Sequence, residues 1–230
     1  MLATVGLAGV MAFGPAAWRH RWKVPFQLFL IGYVGLVSGD LLAQSLVAGW
    51  VRSGVPWETA SGLVLLLAAA LLVPWASRPP FYCHHLCPHG AAQELIGRIR
   101  PRRWQLAVRA DVARALGLLP GALLILTLLT AMLALPLDLA GIEPFDAYLF
   151  RTAGIATLAV AGVGLAASAF VPQAYCRFGC PTGALLNFVR SRGPTDRFSA
   201  RDAAALGFVL AAAALNLGYV PVLVWMKGVP

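Results

Sequence analysis

Apolar residues run in long blocks along this chain, and polar residues gather between them. Five blocks, at about 24–48, 60–77, 115–136, 152–171 and 203–226, approach or exceed the roughly 20 residues that an α-helix needs to cross a bilayer. A sixth block, 1–18, is shorter, and its basic residues Arg19, Arg21 and Lys23 follow it. A secretory signal peptide carries its positive charge in front. Residues 1–18 therefore read as a further N-terminal helix. Spans in lipid must be helical, because no water satisfies an open backbone. The pattern predicts an all-α polytopic bundle of five or six membrane helices, forming a single integral membrane domain over 1–230.

Composition narrows the class. Of the 230 residues, 60% are hydrophobic and 12% charged, and the mean hydropathy is +0.76. A soluble domain carries about 25% charged residues. This chain has too little polar surface for a soluble globule and too much apolar content for a disordered one. The net charge of +9 does not point to nucleic acid, because the basic residues sit in short clusters between apolar blocks, which is how topology signals are distributed. Fifteen of the 18 Lys and Arg residues fall in one set of loops, and the opposite set holds Arg52, Arg151 and Lys227 with Glu58, Asp138, Glu143 and Asp146. The positive-inside rule puts the basic set in the cytoplasm of a bacterial inner membrane.

The chain repeats itself. Residues 79–91 read PPFYCHHLCPHGA and residues 172–184 read PQAYCRFGCPTGA, with an offset of 93 and seven of thirteen positions identical. Each copy follows an apolar span and precedes a short amphipathic stretch. Two units result, at about 24–103 and 112–193, each of two membrane helices, a C-x3-C-P turn and a surface helix; the last span, 203–226, stands outside them. Two spans separate the copies, so both turns return to the cytoplasmic face. An axis along the membrane normal would bring them together.

All four cysteines of the chain lie in these turns: Cys83, Cys87, Cys176 and Cys180. The cytoplasm is reducing, so the pairs read as metal-binding or redox-active rather than as disulfides. Proline after the second cysteine suits the first turn of a helix. Cys87 and Cys180 are thus expected at helix N-termini, where the helix dipole favours a thiolate. Gly90 and Gly183 would admit close backbone approach to a cofactor, or close helix packing. Four thiolates match one [2Fe–2S] or [4Fe–4S] cluster, and also a structural zinc. The C-x3-C-P spacing is also the tail of the bacterial ferredoxin run.

With YCHHLCPHGAAQEL and YCRFGCPTGALL each placed after a membrane span, the chain resembles the NosR/NapH-type membrane iron–sulfur proteins, a group that includes the RdhC-type proteins. The resemblance covers roughly 20–225. It implies electron transfer at the cytoplasmic membrane, with an iron–sulfur cluster, [4Fe–4S] in preference to [2Fe–2S], on Cys83, Cys87, Cys176 and Cys180. It implies a redox subunit rather than a self-contained enzyme. Electrons would pass from a quinol, flavin or ferredoxin-type donor to a separate partner reductase. Many members carry a C-terminal ferredoxin segment or an extracytoplasmic flavin domain. This sequence ends after its last span, so it reads as a membrane core served by separate partner subunits.

Two other readings of the four thiolates stand beside this one. A copper or zinc handler would use the same soft ligands. A quinone-linked thiol–disulfide oxidoreductase would need the cysteines in an oxidising compartment. Other residues carry weaker signals. His84, His85 and His89 crowd the first turn, where the second has Arg177, Phe178 and Thr182; they are candidates for a cluster hydrogen bond, a proton partner or an extra ligand, or simply line a polar turn. Asp40 lies inside the first full span, where an ionisable group is a functional candidate by default. It would accept a proton from quinol or bond a neighbouring helix. An unbroken helix from 24 to 48 would hold it on the order of 20 Å from the cysteine face. The stretches 92–103 and 185–192 are expected in the headgroup plane, and Trp50, Trp57, Trp75 and Trp104 in the interfacial belt.

Overall fold

A computed structural model describes residues 1–76, 81–133, 141, 143–149, 153–190, 207 and 210. Among the described residues there is no strand, and ten α-helices form the fold. They are α1 (Leu2–Phe13), α2 (Ala16–Phe29), α3 (Gln44–Ser53), α4 (Ser61–Ala76), α5 (Phe81–His85), α6 (Pro88–Ile99), α7 (Ala110–Met132), α8 (Ile155–Ser168), α9 (Ala174–Phe178) and α10 (Pro181–Arg190). A π-helix, Leu30–Ser38, continues α2. The all-α class is the one the apolar blocks predict.

Among the described residues, one helix is both long and apolar enough to cross a membrane: Ala110–Thr130 in α7, of 21 residues. The apolar helices Leu2–Phe13, Ser61–Val73 and Ile155–Ser168 are shorter. The block 203–226 lies outside the described residues.

The block 24–48 is not one helix. The chain leaves the helical path at Gly39, which sits in the left-handed region (φ +67°). A Cβ there would meet Leu149 Cδ2 at 2.3 Å, so only glycine fits the turn. A helix broken inside a packed protein leaves amide donors that must find partners. Leu42 N–H donates to the Tyr82 hydroxyl (2.8 Å), and Gln44 N–H donates to the Glu143 carboxylate (2.9 Å). The long separation of Asp40 from the cysteines rested on an unbroken helix and loses that premise.

The helices that follow the cysteine turns pack reciprocally. α6, after the first turn, lies on α8, which leads into the second. α10, after the second turn, lies on α4, which leads into the first. This exchange sets the two turns side by side. It also changes the expectation for 92–103. The start of α6 is buried from Pro88 to Ala91 and again at Gln93, while Arg98 and Ile99 near its end are more exposed. Burial of polar Gln93 is offset by hydrogen bonds inside the protein.

Candidate functional site

The two turns have one backbone design. In the first, Leu86 N–H (2.9 Å) and Cys87 N–H (2.8 Å) both donate to the Tyr82 carbonyl; in the second, Gly179 N–H (2.8 Å) and Cys180 N–H (2.9 Å) both donate to the Tyr175 carbonyl. The chain then enters α6 and α10 at Pro88 and Pro181, where the missing N–H has no partner to lose. Cys87 is the N-cap of α6, and its sulfur accepts from Gly90 N–H (3.4 Å). The Cys180 sulfur accepts from Gly183 N–H (3.2 Å) in the same way. Thiol sulfur thus takes the capping place usually held by a Ser, Thr or Asp oxygen.

All four cysteines line one cavity of about 580 Å³. Tyr82, His84 and His89 share its wall with Tyr175, Arg177 and Thr182. None of the four forms a disulfide. Burial pushes the Cys87 thiol up to about 12, with the charge of Cys176 as the next cause. Burial and then Cys83 push Cys176 up to about 12, and Cys180 is raised as well, first by burial. Burial therefore outweighs the hydrogen bonds to sulfur, and without metal Cys87, Cys176 and Cys180 are neutral thiols. A bound metal ion reverses that balance, because its charge replaces the proton on sulfur.

The donor set suits an iron–sulfur cluster. Four thiols face one cavity, two sulfurs receive backbone N–H bonds, and Cys176 Sγ accepts from the buried Gln93 side-chain amide (3.1 Å). Hydrogen bonds to sulfur are one of the ways a protein sets a cluster's potential. Among the described residues, no group of three His, Cys, Asp or Glu side chains closes on a point where a single ion would sit. A lone zinc needs its sulfurs about 2.3 Å from one centre. Four thiols around one cavity are also the number that a multi-atom cluster takes.

Two of the three histidines reach this cavity. His89 is 1% exposed. Its Nδ1 lies 3.1 Å from the Tyr148 hydroxyl, its ring meets Tyr175 edge-on at 5.2 Å, and its Nε2 has no hydrogen-bond partner among the described residues. Burial lowers its pKa to about 4, so it is a neutral ring at physiological pH. His84 lines both this cavity and a second one, whereas His85 lines only the second. Asp40 is not among the lining residues, and its carboxylate accepts a bond from the Ser38 hydroxyl at the helix break.

Two of the residues that sequence reasoning missed, Glu143 and Tyr148, lie between α7 and α8. Glu143 was read as a charge in a loop on the opposite face. It is instead 1% exposed, with one oxygen accepting from Gln44 N–H and the other from the Thr182 hydroxyl (2.8 Å). Burial pushes its carboxyl up to about 7, against the lowering effect of Thr182 and the amides of Gln44 and Ser45. Tyr148, five residues on, holds His89. His89 and Thr182 are equivalent positions of the repeat, so one segment ties both turns at the same place. A charge count cannot reveal this, because it treats every loop carboxylate as solvated. The repeat alignment could have flagged Thr182 and His89 as a pair. Gln93 was also missed: besides Cys176, it holds the Ser168 hydroxyl (2.8 Å) and Tyr175 N–H (3.1 Å) through its carbonyl.

Comparison with known proteins adds the class. A family model described as a 4Fe-4S binding domain matches residues 60–107 and 153–197, the two stretches that contain the cysteine turns. The chain is 30% identical over 200 residues to the "Putative electron transport protein YccM" of Escherichia coli K12, an alignment covering 77% of this chain and 53% of the relative. It is 25% identical over 169 residues to an uncharacterized protein of Methanocaldococcus jannaschii, covering 72% of this chain and 69% of that one. The chain thus spans about half the length of the first relative. No solved structure matches it. Both cysteine turns thus lie within stretches similar to a 4Fe-4S binding domain, and the electron-transport description is that of the first relative.

Proposed function

We propose that this protein is a membrane electron-transfer subunit that binds one [4Fe–4S] cluster through Cys83, Cys87, Cys176 and Cys180. The observation that carries the reading is that both cysteine turns, built alike, line the same cavity. When bound, the cluster stores and releases one electron at a time. The chain's own residues do the rest. The Gly90 and Gly183 amides and the Gln93 side chain donate to sulfur and stabilise the charge that the site gains on reduction. Tyr82, Tyr175 and His89 wall the site and limit access of water to it.

In this reading the chain is one membrane domain of two repeated units with five or six spans, of the NosR/NapH type. Its cysteine turns face the bacterial cytoplasm. A quinol, flavin or ferredoxin-type donor and a partner reductase complete the path.

Anaerobic purification with iron, sulfide and EPR measurement tests the cofactor. About four irons and four sulfides per chain are expected. Stoichiometric zinc, or a folded protein without iron, would overturn the reading. Sidedness is tested with Arg109→Cys, at an exposed position before α7. A membrane-impermeant thiol reagent should label it above the wild-type background only after the cells are permeabilised. Labelling in intact cells would reverse the topology.

A further inference from the structure

The second cavity is basic, and cations that keep contact with solvent line it. Its volume is about 260 Å³, and it is lined by Met11, Ala16, Arg19, His20, Lys23, Phe26, Gln27, His84, His85 and Arg98. Six of these belong to α2, at positions 16, 19, 20, 23, 26 and 27. That spacing is one face of an α-helix. Trp18 and Trp22 point away, 38% and 47% exposed, as interfacial aromatic residues do. The positive-inside rule accounts for the number of basic residues near a membrane face. It does not account for Arg19, Lys23 and Arg98, from two different helices, gathering around one cavity beside His84 and His85.

The charges here are not balanced. Glu94 accepts from Lys23 Nζ (2.5 Å), from Arg98 (3.3 Å) and from the Gln27 amide (2.8 Å). Arg19 reaches only as far as the Ala12 carbonyl, at 3.4 Å, and has no acidic partner among the described residues. Three cations thus face one carboxylate, and two positive charges remain over. A phosphate group has the complementary charge and the acceptor oxygens that guanidinium and ammonium groups recognise. Its four oxygens, at roughly 30 Å³ per water-sized group, ask for on the order of 120 Å³. The cavity holds that and leaves room for an ester arm.

We propose that this cavity is a binding site for a phosphate group, held by Arg19, Lys23 and Arg98. A phospholipid headgroup and free phosphate are its two sources. His84 forms part of the wall of both cavities, so the phosphate would sit one side chain away from the cysteine site.

The test uses the full-length protein in two arms. Isothermal titration with inorganic phosphate reads the free ion. Native mass spectrometry of protein from bilayer discs reads retention of phosphatidylglycerol against phosphatidylcholine. The comparison is between wild type, the pair Arg19→Gln with Lys23→Gln, and the charge-keeping pair Arg19→Lys with Lys23→Arg. Arg98→Gln serves as an independent variant should the first pair fail to fold. Phosphate affinity that falls about tenfold or more in the neutral variants, and survives in the charge-keeping pair, supports the site with the free ion as ligand. Selective retention of phosphatidylglycerol that is lost in the same variants supports it with a lipid headgroup as ligand. Absence of both signals in wild type, or signals equal in wild type and folded neutral variants, overturns it.

Discussion

The two cysteine turns share a backbone and differ in what surrounds them. Each caps a helix with sulfur and closes on a tyrosine carbonyl. Yet Tyr82 uses its hydroxyl to hold Leu42 at the helix break, while the buried hydroxyl of its counterpart Tyr175 has no partner among the described residues. Gln93, after the first turn, bonds across to Cys176, Ser168 and Tyr175 of the second; its counterpart after the second turn is Leu186, a buried apolar residue. The lesson is that duplication has preserved the backbone amides that touch sulfur and released the side chains around them. The ligand frame is two-fold, and its support is one-sided.

The strongest way to break this picture is to treat the turns as separate sites. Cys87→Ser and Cys180→Ser should each remove nearly all iron from anaerobically purified protein, since both sulfurs belong to one cavity. Retention of about half the iron in either variant would mean two independent sites and would end the one-cluster reading.

The segment that ties both turns gives the next largest effect. Glu143 titrates at about 7 in the fold against an ordinary 4.5. The folded state therefore holds a proton that the unfolded state has released between pH 4.5 and 7, and this carboxyl's contribution to stability falls as pH rises through that window. At about 1.4 kcal/mol per pH unit, the loss amounts to about 3 kcal/mol. His89, lowered to about 4 from 6.5, acts in the opposite sense: its contribution rises with pH between those values. Glu143→Gln should remove the first slope and unmask the second. Denaturation of the iron-free protein across pH 4–8 checks it. A wild-type-minus-variant difference that does not change with pH would show that Glu143 titrates alike in the folded and the unfolded chain.

Much of this arrangement was legible in the residues themselves. Identity at Tyr82/Tyr175, Cys83/Cys176, Cys87/Cys180 and Pro88/Pro181 marks two equal turns, and proline after cysteine marks the helix start correctly. The block 24–48 was misread because hydropathy registers apolar content and not backbone path. Gly39 is a single residue in an apolar run that takes a positive φ, and the Leu149 side chain that would crowd a Cβ there comes from more than a hundred positions away. Glu143 was hidden for a related reason. Its donors, Gln44 N–H and Thr182, come from two distant parts of the chain, and no local pattern announces a carboxylate that caps another segment's helix.

A smaller effect separates the two glycines. A Cβ at Gly90 would lie 2.5 Å from the Cys83 carbonyl oxygen, whereas at Gly183 the nearest atom is Cys180 Sγ at 3.4 Å. Gly90→Ala must displace backbone and should cost about 1–3 kcal/mol. Gly183→Ala meets ordinary contacts and should be neutral, or gain up to about 1 kcal/mol from helix propensity. Chemical denaturation of the two variants reads the difference directly. Equal destabilisation would show that the turns are packed alike after all.

The finest test removes one oxygen atom from each turn. Tyr82→Phe leaves Leu42 N–H buried without an acceptor and should cost about 1–3 kcal/mol. Tyr175→Phe takes away a buried hydroxyl that has no hydrogen bond among the described residues, so in the iron-free protein it should leave stability unchanged or raise it slightly. The same Tyr175 hydroxyl belongs to a side chain that lines the cysteine cavity. In the iron-loaded protein, then, its loss should shift the midpoint potential downward if the hydroxyl donates to the bound group, since a donor stabilises the more negative, reduced state. A stability loss in iron-free Tyr175→Phe as large as that in Tyr82→Phe would mean that the second hydroxyl has a structural partner, and the asymmetry between the turns would disappear at that position.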